Sequence, residues 1–271
     1  MLKQRIITAL ILLPIAICGF FLLEGAGFAL FIGLVVSLGA WEWARLAGFS
    51  GQAARVGFAV VVALLLFVLY LTPGLAPWVL GAAVIWWLLA TFLVLTYPQT
   101  AEHWASLACR LLIGLLILLP AWQGLMLLKA WPSGNWLIMS VMVLVWAADI
   151  GAYFSGKAFG KRKLAVHVSP GKSWEGFYGG LAVSLMFVLV LGLVRHWSFG
   201  QIVVGLLGAA IVVAISVVGD LTESMFKRKS GIKDSSNLLP GHGGVLDRID
   251  SLTAAVPVFA VLLWIAGWNV L

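Results

Sequence analysis

The sequence predicts an all-α protein that crosses a membrane about nine times. Three observations carry that prediction. Hydrophobic residues occupy 63% of the 271 positions and mean hydropathy is +1.10, which excludes a water-soluble domain. The apolar residues fall in runs of about 20, enough for a helix to span a hydrocarbon core of about 30 Å. Charged residues make up only 10% of the chain, and most of them crowd into two polar segments.

The chain opens with MLKQR, two positive charges ahead of an apolar run at 6–23. No A-x-A cleavage pattern follows and the run is long enough to span, so it reads as an uncleaved first membrane helix rather than a signal peptide. Further runs at 28–46, 55–72, 76–96, 107–129, 136–155, 174–194, 200–222 and 252–270 bring the count to nine. They are expected to form one membrane domain over 1–271, with N-terminal helices at 1–135 and the helices and loops that carry the polar segments at 136–271. Glu42 stands between Trp41 and Trp43 near the end of the second run and is expected at the membrane interface. Trp78, Trp131, Trp136, Trp197 and Trp268 are expected to form an aromatic belt. Gly176 to Gly180 permit close helix packing. Cys18 and Cys109 lack the spacing of a disulfide or zinc site and read as packing residues. His103 and His196 read as interfacial, and His167 falls in a polar segment. Outside the two polar segments the loops are expected to be short, and no internal repeat is visible.

Charge fixes the orientation. A cytoplasmic N-terminus and nine spans place fifteen of the 17 Lys and Arg inside and leave Lys129 and Arg195 outside. Both polar segments then emerge on the cytoplasmic face, and the C-terminus is external.

The more polar segment runs from Asp220 to Asp250. On a continuing helix Asp220, Glu223, Ser224 and Lys227 share one face at i, i+3, i+4 and i+7, and Asp247, Asp250 and Ser251 share another. Two acidic faces therefore flank a basic, glycine-rich loop. Carboxylates suit a hard cation such as Mg²⁺, alone or with a second metal ion, that also bridges phosphates, while Lys and Arg neutralise phosphate directly. The turn Pro240-Gly241-His242-Gly243-Gly244 offers backbone that can approach a ligand closely. Together these parts suit a phosphoryl or nucleotidyl site. A loop that merely fixes topology would explain the bases. It would not explain Asp220 at the end of an apolar helix, where an ionisable group is costly.

The other polar segment, GKAFGKRKLAVHVSPGKSWEG, spans 156–176. Asp149 and Tyr153 lie four apart on the incoming helix, Asp149 in the apolar context VLVWAADIGAYF. Ser173 can cap a helix that begins at Trp174, Glu175 suits its first turn, and Lys172 beside the exposed N–H groups makes an anion site. Taken alone, this is also what an ordinary helix cap looks like.

SMFKRKSGIKDSSNLLPGHGGVLDRID, the 27 residues from Ser224 to Asp250, resembles the signature of phosphatidate cytidylyltransferases (CDP-diacylglycerol synthases) of bacterial type. The matching positions are Ser224, Lys227, Arg228, Lys233, Asp234, Ser236, Leu239, Pro240, His242, Gly243, Gly244, Asp247, Arg248 and Asp250. Asp149, Ala152, Tyr153 and Gly156 resemble the family's D-x-x-A-Y-x-x-G pattern. The stretch from Ser169 to Gly176 resembles its S-P-x-K-[ST]-x-E-G segment.

The resemblance implies a multi-pass enzyme of the bacterial inner membrane that joins CTP and phosphatidic acid into CDP-diacylglycerol and pyrophosphate, with its active site facing the cytoplasm. It implies catalytic Lys172, Lys227, Arg228, Lys233, Asp234, His242 and Arg248, and substrate contacts from Tyr153, Ser169, Lys172, Ser173, Glu175, Ser224, Gly243 and Gly244. Asp220 and Asp247 are expected to bind Mg²⁺, with Asp149 and Asp250 as additional ligands. No covalent nucleophile is needed and no nucleic-acid partner is expected, because topology and anionic substrates explain the net charge of +7. A homodimer is compatible with this reading. Two alternatives stand beside it: a related membrane lipid phosphotransferase or kinase, which would use the same acids and lysines, and a transporter of anionic solutes. The latter would be expected to place charge near the midplane of repeated halves.

Overall fold

The computed structural model of the protein describes residues 2–268. The end of the ninth apolar run, the external C-terminus and the Lys3 side chain lie outside the described residues. Nine long helices are present among the described residues: α1 (Leu2–Ile17, continued by a wider turn at Cys18–Leu22), α2 (Gly25–Ala47), α3 (Gln52–Leu71), α4 (Ala76–Leu95), α5 (Leu107–Ala130), α6 (Gly134–Phe159), α7 (Trp174–Val194), α8 (Phe199–Lys229) and α9 (Leu246–Ile265). The all-α membrane fold expected from the sequence is the one observed. Large apolar side chains such as Leu30, Leu64 and Leu88 point outward, as a surface facing lipid requires.

The apolar runs understate two helices. α8 continues seven residues past 222, and α9 begins six residues before 252. Hydropathy ends where side chains become charged, whereas the backbone stays helical as long as its i to i−4 bonds persist. At 31 residues α8 is about 46 Å long, more than a hydrocarbon core of about 30 Å, so its last turns carry Asp220 to Lys229 toward the headgroup level.

Three further expectations need correction. The polar segment 156–176 is not an irregular loop: β1 (Lys163–Ala165) and β2 (Ser169–Ser173) form an antiparallel hairpin, with Lys163 opposite Ser173 and Ala165 opposite Ser169. The connection between α4 and α5 is a run of turns across 96–106, and its Glu102 pairs with Lys229 at the end of α8. That hydrogen bond holds the Glu102 carboxyl below its ordinary range. The aromatic belt is incomplete, since Trp197 and Trp268 pack on each other at 4.9 Å while Trp78 and Trp136 are exposed.

Packing sets where the polar ends meet. α5 contacts α2, α4, α6 and α9, and α9 also packs along α8. α6 and α7 lie against each other through small residues: a side chain at Gly180 would run into the Ala148 carbonyl, and one at Gly151 would meet the Gly179 carbonyl at 2.8 Å. This pair brings the hairpin beside the end of α8.

Gly180→Val is expected to force α6 and α7 apart and cost about 1–3 kcal/mol of stability, the usual range for overpacking. A thermal scan of detergent-purified protein measures it. Gly200→Ala, where open space receives the methyl group, leaves the midpoint unchanged.

Candidate active site

The Ser224–Asp250 signature folds around two carboxylates. Glu42 of α2, expected at the interface, is instead fully buried. Its Oε1 accepts hydrogen bonds from Ser236 Oγ (2.5 Å) and the Val245 N–H (3.0 Å), and its Oε2 from the Leu246 N–H (2.6 Å) and Ser235 Oγ (3.2 Å). A carboxylate is stable in the interior when its lone pairs are taken up in this way. Asp247, in the first turn of α9, accepts from the Gly244 N–H (2.7 Å), the Ser235 N–H (3.0 Å) and Lys227 Nζ (2.8 Å). Ser235 Oγ stands 2.9 Å from Asp247, within reach of both carboxylates.

These contacts explain the Pro-Gly-His-Gly-Gly run. Leu239 to His242 form a tight turn closed by His242 N–H donating to the Leu239 carbonyl, with Gly241 at φ +77° after Pro240, the geometry of a type II turn. Gly244 sits where a side chain would collide with Ser235 and Glu42. Gly244, and Gly243, where a side chain would meet Asp247 Oδ2 at 2.7 Å, thus serve the loop's own carboxylate anchors, while Gly241 serves its turn. From α1, Arg5 Nε donates to the Gly241 carbonyl (3.0 Å) and Thr8 Oγ1 to the Pro240 carbonyl (2.9 Å).

A chain of charge joins the loop to the hairpin. Lys227 bridges Asp247 and, one turn back on α8, the buried Glu223 (3.2 Å). Across Gly219, whose Cα lies under the Asp250 carbonyl, α8 and α9 approach closely enough that Asp250 is a charge neighbour of Asp220, Lys172 and Lys227. Lys172 of β2 closes the chain with a 2.6 Å contact to Asp220, and Ser224 Oγ donates to the same carboxylate at 3.2 Å. The hairpin is also pinned by Arg228, whose Nε donates to the Val168 carbonyl at 3.1 Å.

Beside Lys172 a cavity of about 230 Å³ opens between α6, α7, α8 and the hairpin. Asp149, Tyr153, Lys172, Ser173 and Asp220 line it, with Val213 and Val217 deeper in. Polar groups thus stand above an apolar interior, which suits a ligand with a charged head and a hydrocarbon body. Asp149 is a charge neighbour of Lys172 and Asp220.

The remaining sequence-derived positions divide. Ser173 caps α7 as expected, accepting from the Gly176 N–H at 3.1 Å. Glu175 turns back to accept from the Lys161 and Arg162 N–H groups (3.0 and 3.1 Å) and from Arg162 Nε (3.1 Å), so its role is to shape the hairpin's start. Ser169 lies on β2. The Gly243 carbonyl accepts from the Leu239 N–H at 2.8 Å. The side chains of Lys233, Asp234 and Arg248 make no hydrogen bond or ion pair among the described residues, and His242 keeps a buried Nδ1 without a partner. Sequence reasoning missed Glu42 and Ser235. The available signal was an acid in an apolar helix, the same signal that marked Asp149 and Asp220.

The carboxylates differ in how well they suit a bound cation. Among the described residues no three His, Cys, Asp or Glu side chains converge into a closed metal cage. Asp149 and Asp220 both face the cavity, which fits Mg²⁺, an ion commonly held by one or two carboxylates and completed by substrate phosphate and water. Asp220 would exchange its contacts with Lys172 and Ser224 for the ion, whereas Asp247 would have to give up Lys227, Ser235 and Gly244, the contacts that shape the loop.

Apolar helices that gather five carboxyl groups (Asp149, Asp220, Glu223, Asp247, Asp250) around Lys172 and Lys227 at one end of a bundle define a polytopic membrane enzyme that handles phosphate. Residues 3–266 match the family model described as the cytidylyltransferase family, and the chain belongs to that family. It is 72% identical to the phosphatidate cytidylyltransferase of Pseudomonas aeruginosa over 99% of both chains. It is 44% identical to that of Haemophilus influenzae over 96% of this chain and 98% of the relative, and 33% identical to that of Synechocystis over 96% and 97%.

Lys227→Met is expected to leave the buried Glu223 without its ionic partner and Asp247 without its counter-charge, and to cost about 3–5 kcal/mol. The thermal midpoint of the variant reads this directly. In a Lys227→Met/Glu223→Gln double variant, part of the loss is recovered.

Proposed function

We propose that the cavity between α6, the hairpin and α8 is where CMP passes from CTP to phosphatidic acid, at the cytoplasmic surface of a bacterial inner membrane. The chain is a nucleotidyltransferase of phospholipid biosynthesis that forms CDP-diacylglycerol and pyrophosphate. The observation that carries the siting is the Lys172–Asp220 contact, which brings the two polar segments together at the mouth of a cavity with an apolar floor. The orientation is supported by the excess of Lys and Arg on one side of the nine spans.

A phosphate oxygen of the lipid attacks the α-phosphorus of CTP in line, and pyrophosphate leaves. Both reactants are anionic, so their approach demands positive charge placed before they arrive. Lys172 at the cavity, with Arg228, Lys233 and Arg248 around the signature loop, supplies it. Lys227 is already enclosed by two acids, so its part is to hold α9 against α8 and thereby to orient Asp250. Among the described residues the buried Nδ1 of His242 has no protein partner, and a bound water would satisfy it. Asp149 and Asp220, with Asp250 behind them, would hold Mg²⁺, which when bound neutralises phosphate charge and polarises the phosphorus. Tyr153 and Ser224 flank the same carboxylates. The apolar floor at Val213 and Val217 suits the acyl chains of a lipid entering from the bilayer.

Purified protein with dioleoyl phosphatidate, radiolabelled CTP and Mg²⁺ tests the reading. Label is expected in the lipid phase and pyrophosphate in the aqueous phase, and EDTA stops both. Asp220→Asn is expected to lower kcat by about 100-fold or more and to weaken Mn²⁺ binding measured by electron paramagnetic resonance. Wild-type turnover and unchanged Mn²⁺ binding in that variant would remove Asp220 from the site.

A further inference from the structure

We infer that Glu42, which belongs to neither polar segment, is a positioning residue for the transfer reaction, holding the signature loop and the first turn of α9 in working register. The inference rests on the proposed siting of the reaction and adds to it a residue from the opposite end of the chain. Oε1 of the Glu42 carboxylate takes the Ser236 hydroxyl and the Val245 N–H, and Oε2 takes the Leu246 N–H and shares the Ser235 hydroxyl with Asp247. The hydroxyls come from Ser235 and Ser236, inside the loop that follows α8, and the N–H groups from Val245 and Leu246, where it enters α9. One buried side chain therefore ties the middle of the loop to its entry into α9.

α9 has no cap of its own. Val245 occupies the position before its first turn and has no side-chain acceptor to offer. Glu42 does the work of an N-cap from another helix. The turn that it caps carries Asp247, Arg248 and Asp250, so an error in its register displaces the acids that face α8. The charged groups around Glu42 are consistent with a fixed carboxylate: Arg45 donates to the Ser235 carbonyl at 3.1 Å, and Arg55 is a charge neighbour stacked on Trp41. No atom of Glu42 lines the cavity. Its effect on the reaction passes through Asp247, Asp250 and the loop.

Glu42→Gln keeps the shape and removes the match. Either orientation of the amide turns its NH₂ toward a backbone N–H, Val245 in one case and Leu246 in the other. A misplacement of reacting groups by about an ångström can cost about 100-fold in rate. The variant is therefore expected to lose about 10- to 100-fold in kcat per folded molecule, with the KM for phosphatidate within about twofold of wild type, the pattern of a lost transition-state interaction. Hydrogen exchange at the Val245 and Leu246 amides is expected to accelerate in the same preparation. Ser236→Ala, which removes one donor to Glu42, shifts both readouts in the same direction by less, and it decides the matter if Glu42→Gln does not fold. Wild-type kcat per folded molecule with unchanged exchange at both amides would overturn the inference. A wild-type protein that makes no CDP-diacylglycerol would instead overturn the reaction assignment, and the exchange measurement would still report on the cap.

Discussion

A carboxylate with no access to water must be surrounded by donors, and in this protein that requirement is met by folding a polar loop onto Glu42. Leaving the charge unpaired would cost several kcal/mol, so the loop and the acid stabilise each other. The loop has few apolar side chains with which to anchor itself, and hydrophobic burial cannot set its shape. Glu42 and Asp247 set it instead, through Ser235, Ser236 and the N–H groups from Gly244 to Leu246. Gly244 follows from this arrangement, because the space that its side chain would fill belongs to Ser235 and Glu42.

The same logic extends along α8. Lys227 lies between Glu223 and Asp247, and Lys172 meets Asp220, so each enclosed base answers at least one acid. Five acids around two lysines nevertheless leave negative charge uncompensated where two anionic substrates must arrive. The Mg²⁺ proposed at Asp149 and Asp220 would resolve that conflict. Close approach of α8 and α9 at Gly219 makes the cluster possible, since a side chain there would meet the Asp250 carbonyl.

Much of this was legible in the sequence because a bilayer imposes simple rules. Nine apolar runs became nine helices among the described residues, and the spacing of Asp220, Glu223, Ser224 and Lys227 did place them on one helical face. Helix ends were misread where hydropathy stopped before the hydrogen-bond ladder did, at Lys229 and Leu246. The hairpin was missed because Lys163 to Ser173 are too short and too polar to show strand alternation, and its pairing is fixed from outside by Glu175 and Arg228. Glu42 was misread for a different reason. An acid flanked by two tryptophans looks like a headgroup-level residue, and its partners lie more than 190 positions away. Local pattern identified the loop but could not identify what the loop was fastened to.

That fastening divides the charged residues by task. The acids and lysines that are paired in this structure hold α8, α9 and the hairpin in register. Lys233 and Arg248 have no partner among the described residues, and His242 Nδ1 is buried without one. Unpaired bases on a fixed loop can meet phosphate without first breaking a contact, whereas Lys172 would first have to exchange Asp220 for it. A reaction between two anions at a membrane surface needs positive charge that is already in position and not yet spent. Anchoring the loop through its serines, glycines and backbone N–H groups leaves those basic side chains available.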